Sequence, residues 1–114
     1  MPTAVVCEDD DDIRGLVVAA LRAHGYDVRE AGTVADGLDE VAAGRVDGVV
    51  TDVALPDGSG VTVCHAAHAA GAHVVVMTAA ADAALLDEVA SCCSATVLAK
   101  PFTLAQLLAA VGPA

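Results

Sequence analysis

The chain has 114 residues, enough for one domain with a single hydrophobic core. Its hydrophobic content of 56% excludes a disordered acidic tail, and its net charge of −11 argues against nucleic-acid binding by this chain alone. No apolar run reaches membrane-spanning length and the N-terminus lacks a signal-peptide layout, so we expect a soluble cytoplasmic protein with no membrane partner.

The first quarter of the chain predicts a strand followed by a helix. Thr3 to Cys7 is an apolar run typical of a buried strand, and a helix begins at about Asp11. This helix ends at His24, with Gly25 as a left-handed cap. Spacing of i, i+3, i+4, i+7 and i+8 marks its inward-facing residues as Ile13, Leu16, Val17, Ala20 and Leu21.

A second strand–helix unit and the central strand follow. Asp27 to Ala31 alternates apolar and polar residues, which predicts an edge strand exposed on one face. Thr33 to Asp36 resembles a capping box and opens a helix that closes near Gly44. The run Asp47 to Thr51, which ends on Asp52, predicts a central strand buried on both faces.

The second half of the chain continues this alternation. Ser59 is predicted to cap a third helix that ends at Gly71, and His73 to Met77 predicts the fourth strand. Ala80 to Val89 is rich in alanine and only weakly amphipathic, so we expect it to be the loosest helix. Ala95 to Ala99 predicts the fifth strand.

The last helix opens with a second capping box, Thr103 to Gln106, and Gly112-Pro113 ends it. Its sheet-facing residues are expected to be Leu104, Leu107, Leu108 and Val111. Five strand–helix units predict a flavodoxin-like, doubly wound (βα)5 fold of the α/β class, with a parallel five-stranded sheet in the order 2-1-3-4-5. With no repeat or linker in the sequence, we expect residues 1–114 to form one domain without an output domain, which is either a single-domain protein or a part of a longer chain.

The four cysteines do not predict a disulfide framework. Cys7 and Cys64 lie in apolar patterns, and a bridge between the adjacent Cys92 and Cys93 would be strained. We therefore expect reduced and mostly buried thiols.

A zinc site is a weaker alternative prediction. His65 and His68 could share one face of a helix, with His73 nearby in the sequence. No Cys-x-x-Cys pair accompanies them, so the pattern lacks the usual set of zinc ligands.

Polar residues stand at the ends of four predicted strands: Glu8 with Asp9, Asp52, Thr78 and Lys100. Each of them alone has an ordinary explanation, such as a helix N-terminus for the acidic residues or the protein surface for the lysine. Together they make a chemical site, because three repelling carboxylates favour a hard divalent cation such as Mg²⁺ and a lysine offers a contact for a phosphate oxygen. These are the groups needed to form an aspartyl phosphate, with Asp52 as the reactive centre.

Four stretches carry a resemblance to a known family. They are Ala4 to Arg14, Val50 to Gly60, Val76 to Ala79, and Leu98 to Phe102. In order and spacing these stretches resemble the receiver (REC) domain of two-component response regulators, and the resemblance covers essentially the whole chain.

The resemblance implies a role for each residue of the acidic pocket. Asp52 would be the phosphoacceptor and Glu8 and Asp9 would hold Mg²⁺, or another divalent cation such as Mn²⁺. Asp9 would bind the cation directly and Glu8 through water, and the backbone carbonyl of Ala54 would complete the metal site.

The resemblance also implies how the phosphoryl group is contacted and where it comes from. Thr78 and Lys100 would touch it, assisted by the backbone N–H of Ala79, and the Lys100-Pro101 peptide would be cis. The donor would be a phosphohistidine on a sensor histidine kinase or a phosphotransfer protein. The chain would assist its own phosphorylation and dephosphorylation and would turn over no external substrate.

Several positions depart from the family pattern. The aromatic switch residue that the family often has three positions before the lysine is Val97 here, and the Gly-Ala before the fifth strand is Cys93-Ser94. Ala54 and Ala80 occupy the two sites that influence attack of water on the acyl phosphate, so no side chain there orients that water.

Three functions are weighed. The first is a receiver that signals by a population shift after phosphorylation, acting on an unidentified downstream protein and pairing through the face between the fourth and fifth helices. The second is a receiver-fold interaction module that works independently of phosphorylation, which Val97 and the alanine-rich fourth helix motivate. The third, an enzyme acting on an external substrate, is not favoured because the sequence has no glycine-rich cofactor loop.

Overall fold

The valine-rich runs of the chain form a parallel sheet with helices on both faces. The structure is a computed structural model that describes residues 1–79, 87–89 and 95–112. Its elements in chain order are β1 (Thr3–Cys7), α1 (Asp11–Ala23), β2 (Asp27–Ala31), α2 (Val34–Ala42), β3 (Gly48–Asp52), β4 (Ala54–Leu55), β5 (Gly58–Ser59), α3 (Val61–Ala69), β6 (His73–Thr78), β7 (Thr96–Ala99) and α4 (Leu104–Val111).

The main sheet has five parallel strands in the order β2-β1-β3-β6-β7. Counted along the chain, this is the predicted order 2-1-3-4-5, and the predicted fold class is confirmed. The register places Cys7 beside Thr51, Asp52 beside Met77, and Thr78 beside Ala99. The carboxyl ends of the strands therefore meet along one edge of the sheet, where sites of open α/β sheets lie.

The two faces of the sheet carry separate hydrophobic cores. Val5 and Val49 point to the face covered by α2 and α3, and Val6 and Val50 to the face covered by α1 and α4, because successive side chains of a strand alternate. Both cores are built mostly from aliphatic residues.

A two-stranded antiparallel hairpin, β4–β5, follows the central strand and was not predicted from the sequence. Because Ser59 belongs to this hairpin, the N-cap of α3 is Gly60, so the prediction of Ser59 as the cap was wrong by one residue. The Ser59 hydroxyl still accepts a hydrogen bond from the backbone N–H of Val61 at 3.2 Å.

The helix ends otherwise follow the predicted signals. The Thr33 hydroxyl accepts a hydrogen bond from the backbone N–H of Asp36, and Thr103 and Gln106 form a complete capping box. Gly25, Gly71 and Gly112 follow the ends of three helices with positive φ angles, a conformation that suits glycine. Pro113 lies outside the described residues.

Two predicted core residues are on the surface. Leu16 of α1 is 55% exposed and Leu104 of α4 is 46% exposed, so both predictions were wrong. Val18 is buried in place of Leu16, and Leu107 and Val111 form the buried stripe of α4. The apolar stripe of a helix is wide, so residues along either side of it can face the sheet. Which side is buried depends on how the helix packs.

The predicted fourth helix and part of the cysteine prediction fall outside the described residues. Residues 87–89 are helical, but the rest of the Ala80–Val89 segment is not described, nor are Cys92, Cys93 and Ser94. Cys7 and Cys64 are buried thiols without a disulfide bond, as predicted. Across the described part of the chain, no helix is both long and apolar enough to cross a membrane.

Candidate functional site

Four strands deliver polar side chains to the same edge of the sheet. Glu8 follows β1, Asp52 ends β3, Thr78 ends β6 and Lys100 follows β7. Because β1, β3, β6 and β7 are adjacent and parallel, these residues from distant parts of the sequence lie side by side.

Three carboxylates gather at this edge. Glu8, Asp9 and Asp52 each contribute one oxygen to a group whose atoms all lie within 4.8 Å of one another. Glu8 is only 1% exposed and Asp52 is buried, whereas Asp9 lies on the surface. The cluster therefore has two carboxylates shielded from water and one open side.

Lys100 bridges the two buried carboxylates. Its ammonium nitrogen donates to Glu8 Oε2 and to Asp52 Oδ2, each at 2.8 Å. Its backbone N–H donates to the carbonyl of Thr78 at 2.7 Å, which fixes the start of the loop that carries the lysine. Burial alone lowers the pKa of Lys100, but the hydrogen bonds and charges of Asp52 and Glu8 outweigh burial and raise this pKa.

Glu8 is the carboxylate of the cluster whose ionised form is disfavoured by its surroundings. Burial raises the pKa of Glu8 and the neighbouring Asp52 carboxylate raises it further, whereas the hydrogen bond from Lys100 lowers it. The net direction is upward, so the hydrogen bond from Lys100 does not offset burial together with the neighbouring carboxylate. A second positive charge at the open side would relieve this repulsion.

The backbone around Asp52 is held by several hydrogen bonds. Ala54 N–H donates to Asp52 Oδ1 at 3.1 Å, and the Thr51 hydroxyl donates to the Asp52 carbonyl at 3.0 Å. Gly60 N–H donates to the Val53 carbonyl at 2.7 Å, which closes the β4–β5 hairpin under the aspartate. A Cβ atom on Gly60 would lie only 1.8 Å from the Asp52 carbonyl oxygen, so this close approach requires glycine.

The turn after β1 is also fixed at both ends. Asp10 caps α1 by accepting from the N–H groups of Asp12 and Ile13, and its own N–H donates to Glu8 Oε1 at 3.2 Å. Arg14, one turn into α1, donates from Nη1 to the carbonyl oxygen of Glu8 at 2.8 Å. Sequence reasoning missed Arg14, because a side chain that acts on a backbone carbonyl leaves no motif.

The structure describes most of the remaining predicted residues. Thr78 is buried at the end of β6, and the Lys100-Pro101 peptide is cis. Ala54 lies on the surface in β4, two residues past Asp52, while Val97 is 42% exposed on β7. Ala80 lies outside the described residues.

An apolar groove borders the pocket on the side of the lysine. Its volume is about 470 Å³, and it is lined by Ile13, Leu16, Ala79, Lys100, Pro101 and Phe102. The exposed side chain of Leu16 lies in the groove. Since Lys100 lines the groove and also touches Asp52, a molecule seated there would lie next to the acidic cluster.

The donor set fits a hard divalent cation. The cluster offers carboxylate oxygens and no sulfur or imidazole, which suits Mg²⁺ better than zinc. Among the residues that the structure describes, His65, His68 and His73 form no group of three metal ligands, and His73 instead hydrogen-bonds the carbonyl of Ala110. The alternative zinc prediction is therefore not supported.

Comparison with known proteins places the chain among response regulators. The family model described as response regulator receiver domain matches residues 4–112. The transcriptional regulatory protein PrrA of Mycobacterium bovis is 33% identical over 112 residues, which cover 96% of this chain and 48% of that protein. The chain thus spans about half the length of the curated relatives that it matches.

Solved structures show the same fold. A response regulator protein from Burkholderia pseudomallei, crystallised with a phosphorylated aspartic acid, a calcium ion and citrate, has a TM-score of 0.89 at 24% identity and covers 98% of this chain and 67% of that chain. The chemotaxis protein CheY4 of Vibrio cholerae has a TM-score of 0.86 at 23% identity, covering 96% of this chain and 94% of that one.

Proposed function

We start from the fact that the chain belongs to the response regulator receiver domain family, and we propose that Asp52 accepts a phosphoryl group from a phosphohistidine. The observation that carries this proposal is the cluster of Glu8, Asp9 and Asp52, bridged by Lys100. The phosphohistidine would belong to a sensor histidine kinase or a phosphotransfer protein. We treat residues 1–114 as one receiver domain.

The chemistry is an in-line displacement at phosphorus. A carboxylate oxygen of Asp52 forms the new O–P bond while the N–P bond of the donor breaks, and the leaving imidazole keeps the electron pair and takes up a proton. Ala54 N–H and Lys100 Nζ hold the two oxygens of Asp52, so the carboxylate is oriented before the donor arrives. Lys100 and the Thr78 hydroxyl are the groups that would contact the transferred phosphoryl oxygens.

Glu8, Asp9, Asp52 and the carbonyl of Ala54 would hold the cation, for which Mg²⁺ is our first choice. When bound, it neutralises charge that develops on the phosphoryl oxygens. The fold accommodates such a combination, since the Burkholderia pseudomallei response regulator carries both a phosphorylated aspartic acid and a calcium ion.

A small phosphodonor tests this proposal. Incubation with acetyl phosphate and Mg²⁺ should add one phosphoryl group to the intact chain, measured by mass spectrometry and mapped to Asp52. EDTA should suppress the reaction. If wild type gains no phosphate under conditions in which a control receiver does, the proposed function is wrong.

The groove beside Lys100 is where we propose that the donor protein docks. It is apolar, it is exposed through Leu16, and it adjoins the acceptor pocket. Leu16→Asp should slow phosphotransfer from a protein donor at least about tenfold, since an aspartate would be desolvated on docking. Phosphorylation by acetyl phosphate should be unchanged, and equal slowing with both donors would contradict docking in the groove.

A second candidate is an interaction module whose output does not need phosphorylation. Val97 favours it, because the position that often carries an aromatic switch is an exposed valine. The exposed Leu104 on the neighbouring α4 adds apolar surface through which two copies could pair. Partner binding and self-association that are the same in wild type and Asp52→Asn, with and without phosphodonor, would favour this candidate.

A further inference from the structure

We propose that Arg14 is a positioning residue that fixes the carboxylate-bearing turn Glu8–Asp9–Asp10 in the geometry that binds a divalent cation. This inference rests on the cation site of the proposed function. Arg14 contacts the backbone carbonyl of Glu8 and not its carboxylate. It acts on the backbone of the turn, so its effect should be visible as a change in cation affinity.

The guanidinium of Arg14 makes three contacts in different directions. Nη1 donates to the carbonyl oxygen of Glu8 at 2.8 Å, Nε donates to Glu30 Oε1 at 3.3 Å, and Nη2 forms an ion pair with Asp11. Only a planar group with several donors can satisfy all three at once. Glu30 belongs to β2 and Asp11 to α1, so the arginine ties the turn to two separate elements.

The carbonyl that Arg14 holds belongs to the peptide that joins Glu8 to Asp9. Because a peptide group is planar, fixing its carbonyl also fixes the amide from which Asp9 projects. On the other side, Glu8 N–H donates to the Ala31 carbonyl at 3.0 Å, and the N–H of Arg14 donates to the Asp10 carbonyl at 2.9 Å. Asp9 is the exposed member of the cation cluster, and its backbone is the part of the turn that Arg14 braces.

The two ion pairs of Arg14 are too exposed to explain its placement by stability alone. Side-chain exposure is 86% for Asp11 and 44% for Glu30, and exposed pairs of this kind contribute about 1 kcal/mol or less. The contacts with Asp11 and Glu30 instead orient the guanidinium so that Nη1 donates to the Glu8 carbonyl.

Charge and positioning predict opposite effects when Arg14 is changed. If the arginine acted only through its charge, removing it would make the acidic pocket more negative and would strengthen cation binding. If it positions the turn, removing it weakens cation binding despite the more favourable charge. Groups that orient metal ligands in this way typically change metal affinity 10–100-fold.

Calorimetric titration with Mg²⁺ distinguishes these roles in wild type, Arg14→Gln, Arg14→Lys and the control Arg45→Gln. Arg45 matches the charge change, but it pairs with Asp47 at the opposite edge of the sheet. We expect Arg14→Gln and Arg14→Lys to bind Mg²⁺ about tenfold more weakly than wild type, and Arg45→Gln to bind within twofold of it.

Arg14→Lys keeps the positive charge and serves as the second variant should Arg14→Gln fail to fold, which circular dichroism would show. Wild-type or tighter affinity in the folded Arg14 variants would overturn the inference while leaving the proposed function intact. Failure of wild type itself to bind Mg²⁺ would instead overturn the cation site, and with it both proposals.

Discussion

Asp47 directly precedes strand β3 and Asp52 ends it, and each is paired with a cation, yet only Asp52 lies in a cluster of carboxylates. Asp47 precedes the strand at the amino edge of the sheet. There the carboxylate accepts from the Thr3 backbone N–H at 2.8 Å and pairs with Arg45 at 2.9 Å. These partners lower the pKa of Asp47, the Thr3 hydrogen bond most of all, so they stabilise the ionised carboxylate without any further cation.

Asp52 has a different environment at the carboxyl edge. It shares one lysine with Glu8, and both partners are largely buried, whereas the Arg45 side chain is 86% exposed. The carboxylates outnumber the cation, and the pKa of Glu8 is raised. An ion pair alone therefore does not make an aspartate a candidate cation-binding residue. Burial beside other carboxylates that outnumber the lysine favours binding of a further cation.

The largest expected difference between the two ends is chemical. Asp52→Asn should abolish phosphorylation by acetyl phosphate, because an amide oxygen is not a competent nucleophile at phosphorus. Asp47→Asn should be phosphorylated at the wild-type rate, since it lies at the other end of the strand. Phosphate incorporation measured by mass spectrometry checks both variants. Phosphorylation of Asp52→Asn at another residue, to the wild-type level, would contradict the assignment of Asp52 as the acceptor.

Glycines next to the two aspartates should differ sharply in their tolerance of a methyl group. Gly60→Ala should destabilise the protein by about 3 kcal/mol or more, because its Cβ would lie 1.8 Å from the Asp52 carbonyl oxygen. Gly48→Ala should change the free energy of unfolding by about 1 kcal/mol at most, since its Cβ would make an ordinary 3.7 Å contact with the His73 carbonyl oxygen. Urea denaturation measures both. Equal effects would mean that the hairpin shifts to accommodate the larger residue.

A divalent cation should stabilise the fold through one end of β3 only. At a Mg²⁺ concentration one hundred times its Kd, the free energy of unfolding should rise by about 2.7 kcal/mol. Asp47→Asn should keep this gain, and Asp52→Asn should lose most of it. Thermal denaturation with and without Mg²⁺ checks the prediction. A full gain in Asp52→Asn would place the cation elsewhere.

The smallest expected effect is the change in melting temperature, in the absence of metal, when a carboxylate is neutralised. Its sign should differ between Glu8, near Asp52, and Asp47. The pKa of Glu8 is raised in the folded state, so its contribution favours folding below its unfolded pKa and is lost as pH rises through the folded pKa. Glu8→Gln should therefore raise the melting temperature at pH 7 in EDTA.

The pKa of Asp47 is lowered from 3.8, so its contribution is present above that value and is lost as pH falls through the folded pKa. Asp47→Asn should lower the melting temperature at pH 7, and its difference from wild type should vanish in stronger acid. Melting curves from neutral to acidic pH test both variants. Shifts of the same sign in Glu8→Gln and Asp47→Asn would contradict the assigned environments.

Much of the fold could be predicted because its signals are local. Valine runs ending on polar residues marked the strands and the shared edge, and the predicted ends of β1 and β2 agree with the structure. Leu16 and Leu104 were placed in the core by spacing alone, and spacing cannot tell which flank of a helical stripe meets the sheet. The β4–β5 hairpin was missed because strands of two residues leave no periodic pattern.

The residues of the candidate site could be predicted from the sequence, but the contacts between them could not. Sequence order put Glu8, Asp52 and Lys100 at one edge, and the structure brings them together. The shared lysine, the close approach of Gly60 and the contact of Arg14 with a carbonyl depend on distances between chain segments. No alternation or spacing rule encodes such distances.

The ammonium group that completes the pocket is 92 positions away from Glu8 along the polymer. A ribosome makes Glu8 and Asp52 before it makes Lys100, so a nascent chain carries these carboxylates without their counter-charge. The carboxylates would then gain this counter-charge only after β7 has been made and has paired with β6. Any copy in which β7 is unmade or detached from β6 would hold Glu8 and Asp52 without the lysine that joins them.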